Sequence, residues 1–265
     1  MITSNGNPKV KQVVQWQTKA KERRRDGIFL AEGFKMYAEA PEEDILEVYV
    51  AENALEQVPQ RKEIQEKLVR TGFETVSSQV FQKMSDTQTP QGILCVIRQR
   101  IWRLETLLQA PDPLFLVLEG LQDPGNLGTI VRSCEGAGVT GIFMDKETVD
   151  IYNPKVIRAT MGSVYRVPFV CVEDLPKTVD RLREKGILVY AAHLDGKRYY
   201  DGVSFRAGTA FLIGNEGRGL RRELADRADD YLKIPMEGQV ESLNAAIAAS
   251  LFVYEAHRQR HMIQG

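Results

Sequence analysis

Thr209-Ala210-Phe211-Leu212-Ile213-Gly214-Asn215-Glu216-Gly217-Arg218-Gly219-Leu220 joins an unbroken apolar run to a bend with three glycines in six residues. The run reads as a strand covered on both faces, the habit of parallel sheets. Glycines at its exit cost conformational entropy, which is tolerated where a chain turns sharply or lets a ligand approach its amides. Glu216, set between glycines beside apolar sequence, needs a partner if it is buried. A tight crossover with no ligand is the plain competing reading.

Working outward, the same alternation continues. Leu114-Phe115-Leu116-Val117-Leu118 is a second continuous apolar run, followed by helical spacing from Gly128 to Cys134 and a strand at Gly141-Ile142-Phe143-Met144. Further strands are expected at Val167 to Val172, Ile187 to Ala192 and Thr209 to Ile213, with a helix near Leu182. Strand and helix in this order predict a parallel, doubly wound sheet with its ligand site at the carboxyl ends of the strands. Upstream, Arg98–Pro113 breaks the pattern, and the prolines of Ala110-Pro111-Asp112-Pro113 cannot continue a helix. Before that break, strands at Gly27–Ala31, Ile45–Val50 and Gly92–Ile97 and a helix from Lys62 to Arg70, ending at Gly72, outline a smaller α/β unit. The expected organisation is therefore α/β, with a first domain at 1–105, a linker at 106–112 and a parallel-sheet domain at 113–265.

Two more loops follow strands. Asp123-Pro124-Gly125-Asn126-Leu127-Gly128-Thr129-Ile130-Val131-Arg132 opens with turn chemistry. Asn126 and Arg132 lie about 120° apart on a helix, so they converge only if Asn126 sits in the turn before it. The loop lacks the spacing of a dinucleotide fingerprint, and a turn plus a surface arginine is its bland interpretation. The other loop, Ile234-Pro235-Met236-Glu237-Gly238, leads to Glu241-Ser242-Leu243-Asn244. Ser242 reads as N-cap of a last helix from Asn244 to His257. In it, Leu243, Ile247, Leu251 and Tyr254 form an apolar stripe, directed at the core or at a second subunit.

Composition sets the class. With 43% hydrophobic and 27% charged residues, the chain is neither disordered nor fibrous. No window approaches the ~20 apolar residues of a membrane span, and the N-terminus has no apolar signal core. A cytoplasmic protein is expected. A net charge of −1 is uninformative about nucleic acid, but residues 1–25 hold Lys9, Lys11, Lys19, Lys21, Arg23, Arg24 and Arg25 against Glu22 alone. Such a segment is either a phosphate-gathering arm or a solvated helix face. Cys95, Cys134 and Cys171, like His193, His257 and His261, have no zinc-ligand spacing, so no metal is expected.

Taken together, the three loops resemble the three motifs of the SpoU (TrmH-type) branch of the SPOUT RNA methyltransferases. The matches are Asn126-x-Gly128 with Arg132, Gly214-Asn215-Glu216-Gly217-x-Gly219-Leu220, and Ile234-Pro235-Met236 with Ser242-Leu243-Asn244. Arg158-Ala159-Thr160-Met161-Gly162-Ser163-Val164-Tyr165-Arg166-Val167-Pro168 also resembles the family. Ala245-Ala246 departs from it, since members often carry valine there. Asn7-Pro8, Phe29-Leu30-Ala31-Glu32-Gly33 and Thr89-Pro90-Gln91-Gly92 look like the small RNA-binding domain, related to a ribosomal-protein fold, of many members.

The resemblance implies a C-terminal trefoil knot, bound S-adenosyl-L-methionine, a homodimer through the C-terminal domain, and 2′-O-methylation of a ribose in structured RNA. It implies Gly214, Ile234 and Leu243 as cofactor positions, with Leu212 and Met236 as second contacts. Arg132 becomes the central catalytic residue, oriented with the ribose by Asn126, Glu216, Ser242 and Asn244. A guanidinium stays protonated in proteins, so gripping the neighbouring phosphate suits Arg132 better than taking the 2′-hydroxyl proton. A Glu216–Arg132 pair is expected, within one chain or across a dimer. Lys9, Lys11, Arg23, Arg24 and Arg25 are the expected RNA contacts, and removing residues 1–110 is expected to leave cofactor binding intact. Ribosomal RNA is the expected substrate; transfer RNA, or a non-catalytic RNA-binding or assembly role on the same fold, are the competing readings.

Overall fold

The structure is a computed structural model describing residues 1–261. Chain contacts define two compact units: Met1–Arg100 with Asp150–Tyr165, and Ile101–Val149 with the chain from Arg166 onward. In chain order the first unit holds α1 (Pro8–Thr18), α2 (Ala20–Asp26), β1 (Ile28–Glu32), α3 (Phe34–Glu39), β2 (Ile45–Ala51), α4 (Lys62–Thr71), β3 (Glu74–Val76), α5 (Ser78–Met84) and β4 (Ile93–Arg98). Its sheet runs β1-β4-β2-β3, with only β2 and β3 parallel. The basic N-terminal segment forms two packed helices rather than a loose arm. Asn7 caps α1 by accepting from the Lys9 amide, and Val10 and Val13 are buried.

The second sheet carries the expected parallel architecture. Next in chain order come α6 (Leu104–Leu107), β5 (Leu114–Leu118), α7 (Pro124–Ala137), β6 (Gly141–Met144), α8 (Pro154–Thr160), β7 (Phe169–Cys171), α9 (Leu175–Glu184) and β8 (Leu188–Ala192). Then follow β9 (Arg198–Tyr199), β10 (Thr209–Ile213), α10 (Arg222–Ala225), β11 (Asp230–Lys233) and α11 (Ala245–His261). Strand order is β7-β6-β5-β10-β8-β11-β9, and every neighbouring pair is parallel. Central β5 and β10, aligned from Leu114↔Thr209 to Leu118↔Ile213, are buried throughout, which explains their unbroken apolar composition. Parallel strands bring the segments after β5, β10, β8 and β11 to one sheet edge.

Two helices differ from expectation. Helix α7 begins at Pro124 because Asp123 caps it, accepting from the Asn126 amide, and proline is favoured at the first helical position. Asn126 is thus inside the first turn, and its side chain diverges from that of Arg132. In α11 the buried face is Ala245, Ala246, Ala249, Phe252, Val253 and Ala256, while Ile247 (52% exposed) and Tyr254 (47%) look outward. The expected larger stripe is left outside the core, with the Tyr254 hydroxyl lying against Gly136 of α7. Ser133 and Ser250 share a hydrogen bond of 2.8 Å across this contact.

Helix α8 packs within the first unit although it sits between strands of the second sheet. Phe29 stacks on Tyr152 at 4.9 Å between ring centroids, and the Tyr165 hydroxyl donates to the Met36 carbonyl at 3.0 Å. Arg158 pairs with Asp86 at 2.9 Å, and Val156 and Ile157 are buried. Each fully buried aliphatic or aromatic side chain contributes about 1.5–3 kcal/mol, against a total stability of about 5–15 kcal/mol for a native protein. A fragment beginning at Ile101 is therefore expected to lose cooperative folding, because Asp150–Tyr165 would have no core to enter, and this replaces the expectation that removing residues 1–110 leaves cofactor binding intact. Near-ultraviolet circular dichroism and a thermal melt check this; a soluble fragment with a sharp transition would contradict it.

Candidate active site

The glycine-rich bend after β10 closes on itself. Asn215 and Gly219 exchange backbone hydrogen bonds of 3.1 and 2.9 Å, and the Asn215 side-chain oxygen accepts from the Gly217 and Arg218 amides at 3.0 Å each. The other end of that amide donates to the Gly120 carbonyl at 2.7 Å, tying the bend to the segment after β5. Gly214 is required by close approach, since a Cβ there would overlap the Gly219 carbonyl carbon and the Leu220 nitrogen. Arg221, just beyond, donates through its amide and Nε to the buried Glu119 carboxylate, both at 2.7 Å. Sequence reading missed Glu119; its signal was a carboxylate placed directly after the apolar run of β5.

Glu216 joins all three loops. Its carboxylate accepts from the Gln122 and Asp123 amides and from Asn126 Nδ2, each at 3.0 Å. Asn126 Oδ1 accepts in turn from Asn244 Nδ2 at 2.9 Å, and Asn244 Oδ1 takes the Ala246 amide at 2.9 Å. Asn244, not Ser242, is therefore the cap of α11; its oxygen reaches the free amides of the first turn. Among the described residues the predicted Glu216–Arg132 pair is not formed, and the carboxylate is instead occupied at the start of α7. Asn126, Glu216 and Asn244 are brought together as expected.

Partial burial pushes the Glu216 carboxyl up, but hydrogen bonds from Asn126, Asp123 and Gln122 outweigh it and hold the group below the usual carboxylate range. A depressed carboxyl stabilises the fold above its unfolded pKa and loses that contribution as pH falls through the folded value. Glu216→Gln is expected to lower the melting temperature at neutral pH, because one acceptor becomes a donor facing donors. The same change should flatten the acid limb of stability below about pH 4.5. Melts from about pH 3 to pH 7 test this, and an unchanged acid limb would refute it.

Beside this network lies a cavity of ≈ 420 Å³. Gly214, Glu216, Ile234, Met236, Ser242 and Leu243 line it, bringing four of the five predicted cofactor residues and two predicted catalytic residues to one place. Leu212 is the exception. It is fully buried in the core between sheet and helices, and Ile213 is the β10 residue at the cavity wall. Apolar side chains meet the backbone of a tight bend here, an arrangement suited to a flat heterocycle with polar edges.

Arg132 lies elsewhere, exposed on α7 in a groove with Thr129, Ser133, Gly136 and Tyr254. Of the predicted RNA contacts, Arg23 is corrected: it is 3% exposed, donates to the Trp16 and Gln17 carbonyls at 2.6 and 3.2 Å and pairs with Asp150. It is a structural residue. Lys9 pairs with Glu74 and Arg25 with Glu22 and Asp26, all near the surface, while Lys11 and Arg24 are exposed. Among the described residues there is no group of three or more His, Cys, Asp or Glu able to hold a metal ion, and no helix is long and apolar enough to cross a membrane.

Comparison with known proteins matches residues 113–254 to the SpoU rRNA Methylase family and residues 7–95 to the MRM3-like substrate binding domain. The chain is 33% identical over 257 residues to 23S rRNA (guanosine(2553)-2′-O)-methyltransferase RlmP of Bacillus subtilis, covering 96% of this chain and 97% of that one. The fold is similar to an AdoMet-bound rRNA methyltransferase from Sinorhizobium meliloti, with TM-score 0.83, 30% identity and coverage of 99% and 98% of the two chains. A TrmH/SpoU tRNA modifying enzyme from A. aeolicus aligns over only 60% of this chain and 82% of its own, with TM-score 0.51 and 26% identity.

Proposed function

The chain belongs to the SpoU rRNA Methylase family, and from that premise we propose that it transfers the methyl group of S-adenosylmethionine to the 2′-oxygen of a ribose in ribosomal RNA. The observation that carries this reading is the convergence of the three loops, joined through Glu216, Asn126 and Asn244, beside the ≈ 420 Å³ cavity. Its walls fit the cofactor. Ile234 and Leu243 offer apolar faces for the adenine, and Gly214 lets the backbone of Gly219 and Leu220 fold tightly against the cavity wall where a side chain would push it away. When bound, S-adenosylmethionine supplies an electrophilic methyl on sulfonium with a neutral leaving group.

The residues of the chain then align and shield. Glu216 fixes Asn126, Asn126 fixes Asn244, and the three amide and carboxylate groups hold the start of α7 and α11 in register beside the cavity. Arg132 grips a phosphate next to the target ribose through its planar fork. Ser242, on the cavity wall, is a hydroxyl placed to orient the ribose. The knotted path is part of this reading, supported by both the 214–220 bend and the 234–245 segment lining one cavity. Ribosomal rather than transfer RNA is favoured because likeness to the tRNA enzyme covers 60% of the chain while likeness to the rRNA enzymes spans nearly all of it. The protein acts in the cytoplasm. Incubating it with unmodified ribosomal RNA and S-adenosylmethionine carrying a deuterated methyl, then digesting to nucleosides, tests the assignment; label on a base, or in no nucleoside, would overturn it.

The functional unit is a homodimer. Ile247 and Tyr254 present an apolar face on α11, and Tyr254 shares the Arg132 groove. A two-fold interface there uses each exposed side chain twice. Ile247→Asp is expected to weaken dimerisation by about 10²-fold or more and to lower turnover with it. Light scattering after gel filtration reads the state; a monomeric wild type, or an unaffected dimer, would contradict this assembly.

A further inference from the structure

Phe34 and Lys35, directly after the Phe29–Gly33 motif, and Pro90–Gly92 of the second motif line a groove of ≈ 540 Å³ in the first unit. Glu32 accepts from the Ser85 and Thr87 hydroxyls at 2.8–2.9 Å, which ties the end of β1 to the chain before Thr89. The Gln91 side-chain oxygen accepts from the Phe34 amide at 3.1 Å, which joins the two segments at the groove. Gly92 has φ +82°, and a Cβ there would collide with Ala54, so the loop is held tightly against the chain after β2. These contacts explain why the motif residues occur where they do. None of them explains why a shaped, open groove results.

Its lining is Phe34, Lys35, Asn53, Arg61, Pro90 and Gln91, with Ala54 and Gly92 at the base, and it contains no carboxylate. The Arg61 guanidinium lies over the Phe34 ring, 4.6 Å from its centroid. Among the described residues no acid pairs with Arg61. Lys35 has only a long 3.7 Å contact to Glu39 at the surface, which contributes little and leaves the ammonium available. A guanidinium already stacked on one face loses little freedom when it stacks on a second partner or grips an anion with its edge.

We propose that this groove takes one unpaired RNA nucleotide, resting on the assignment of ribosomal RNA as substrate. The base stacks on the outer face of Arg61, Lys35 and the Arg61 edge hold its phosphates, and the amides of Asn53 and Gln91 read its edge. Bases in a duplex are stacked on one another and cannot enter, so the site selects unpaired RNA, as aromatic and arginine platforms do elsewhere. It grips substrate with residues other than those assigned to methyl transfer.

Arg61→Ala is expected to raise the KM for unmodified 23S rRNA transcript by about tenfold or more, with the loss carried by KM rather than kcat and with S-adenosylmethionine affinity unchanged. Arg61→Lys, which keeps the charge and loses the planar stack, should fall between. A 12-nucleotide single-stranded RNA should compete with the transcript on the wild type and much less on Arg61→Ala, and the same strand annealed to its complement should compete poorly on both. A wild-type KM in Arg61→Ala, or a duplex that competes as well as the single strand, would overturn the proposal. If the wild type methylates no ribosomal RNA, the functional assignment fails separately. Fluorescence anisotropy of the labelled 12-mer on wild type and Arg61→Ala then still decides the groove, equal affinities counting against it.

Discussion

Replacing Gly214 with alanine should lower the affinity for S-adenosylmethionine by about a hundredfold or more. The new methyl would sit within the backbone of Gly219 and Leu220, atoms that cannot rotate away. To admit it, the Asn215–Gly219 hydrogen bonds must open, each contributing about 1 kcal/mol, and backbone strain adds to that. About 2.7 kcal/mol is a factor of one hundred in binding. Gly217→Ala is the matched control. Its Cβ would meet only Asn215 Oδ1, at an ordinary 3.7 Å, so affinity should change little. Isothermal titration calorimetry with the two variants separates a general intolerance of the bend from a specific closure of the cavity; equal losses in both would contradict the account.

Arg132→Ala is expected to reduce turnover by about 10²–10³-fold while leaving S-adenosylmethionine binding intact. The residue lies on α7 outside the cavity wall, exposed beside Tyr254, so its removal does not disturb the walls. What is lost is the bidentate hold on a phosphate. Arg132→Lys should recover only part of the activity, since an ammonium restores charge without the fork. Single-turnover methyl transfer and calorimetry on the same samples are the paired measurements. Loss of cofactor binding, or retention of full activity, would refute this division between cavity and grip.

Much of the catalytic half was legible because its signals are local. The apolar runs at Leu114–Leu118 and Thr209–Ile213 became the buried central strands, and the three loops met where parallel strands end. Features that depend on distant partners were not. Arg23 stands in a basic run whose members look alike, and only the fold reveals that Asp150 and two carbonyls enclose it. Asp123-Pro124 reads equally as a turn or as a cap with proline in first position, so the start of α7 moved and Asn126 parted from Arg132. Leu212 looks like its neighbours in an all-apolar strand, where nothing in the sequence marks which residue reaches a cavity. In α11 two stripes compete. The one carrying Phe252, which packs on Phe211, took the core, a choice set by the neighbours a side chain meets.

The most direct test of the whole account is a crystal structure of the protein with S-adenosylmethionine bound. Contacts from Gly214, Ile234 and Leu243 to one molecule are expected, with the Glu216–Asn126–Asn244 hydrogen bonds preserved beside it. A cofactor resting on another face of the sheet, or touched by only one of those segments, would contradict it.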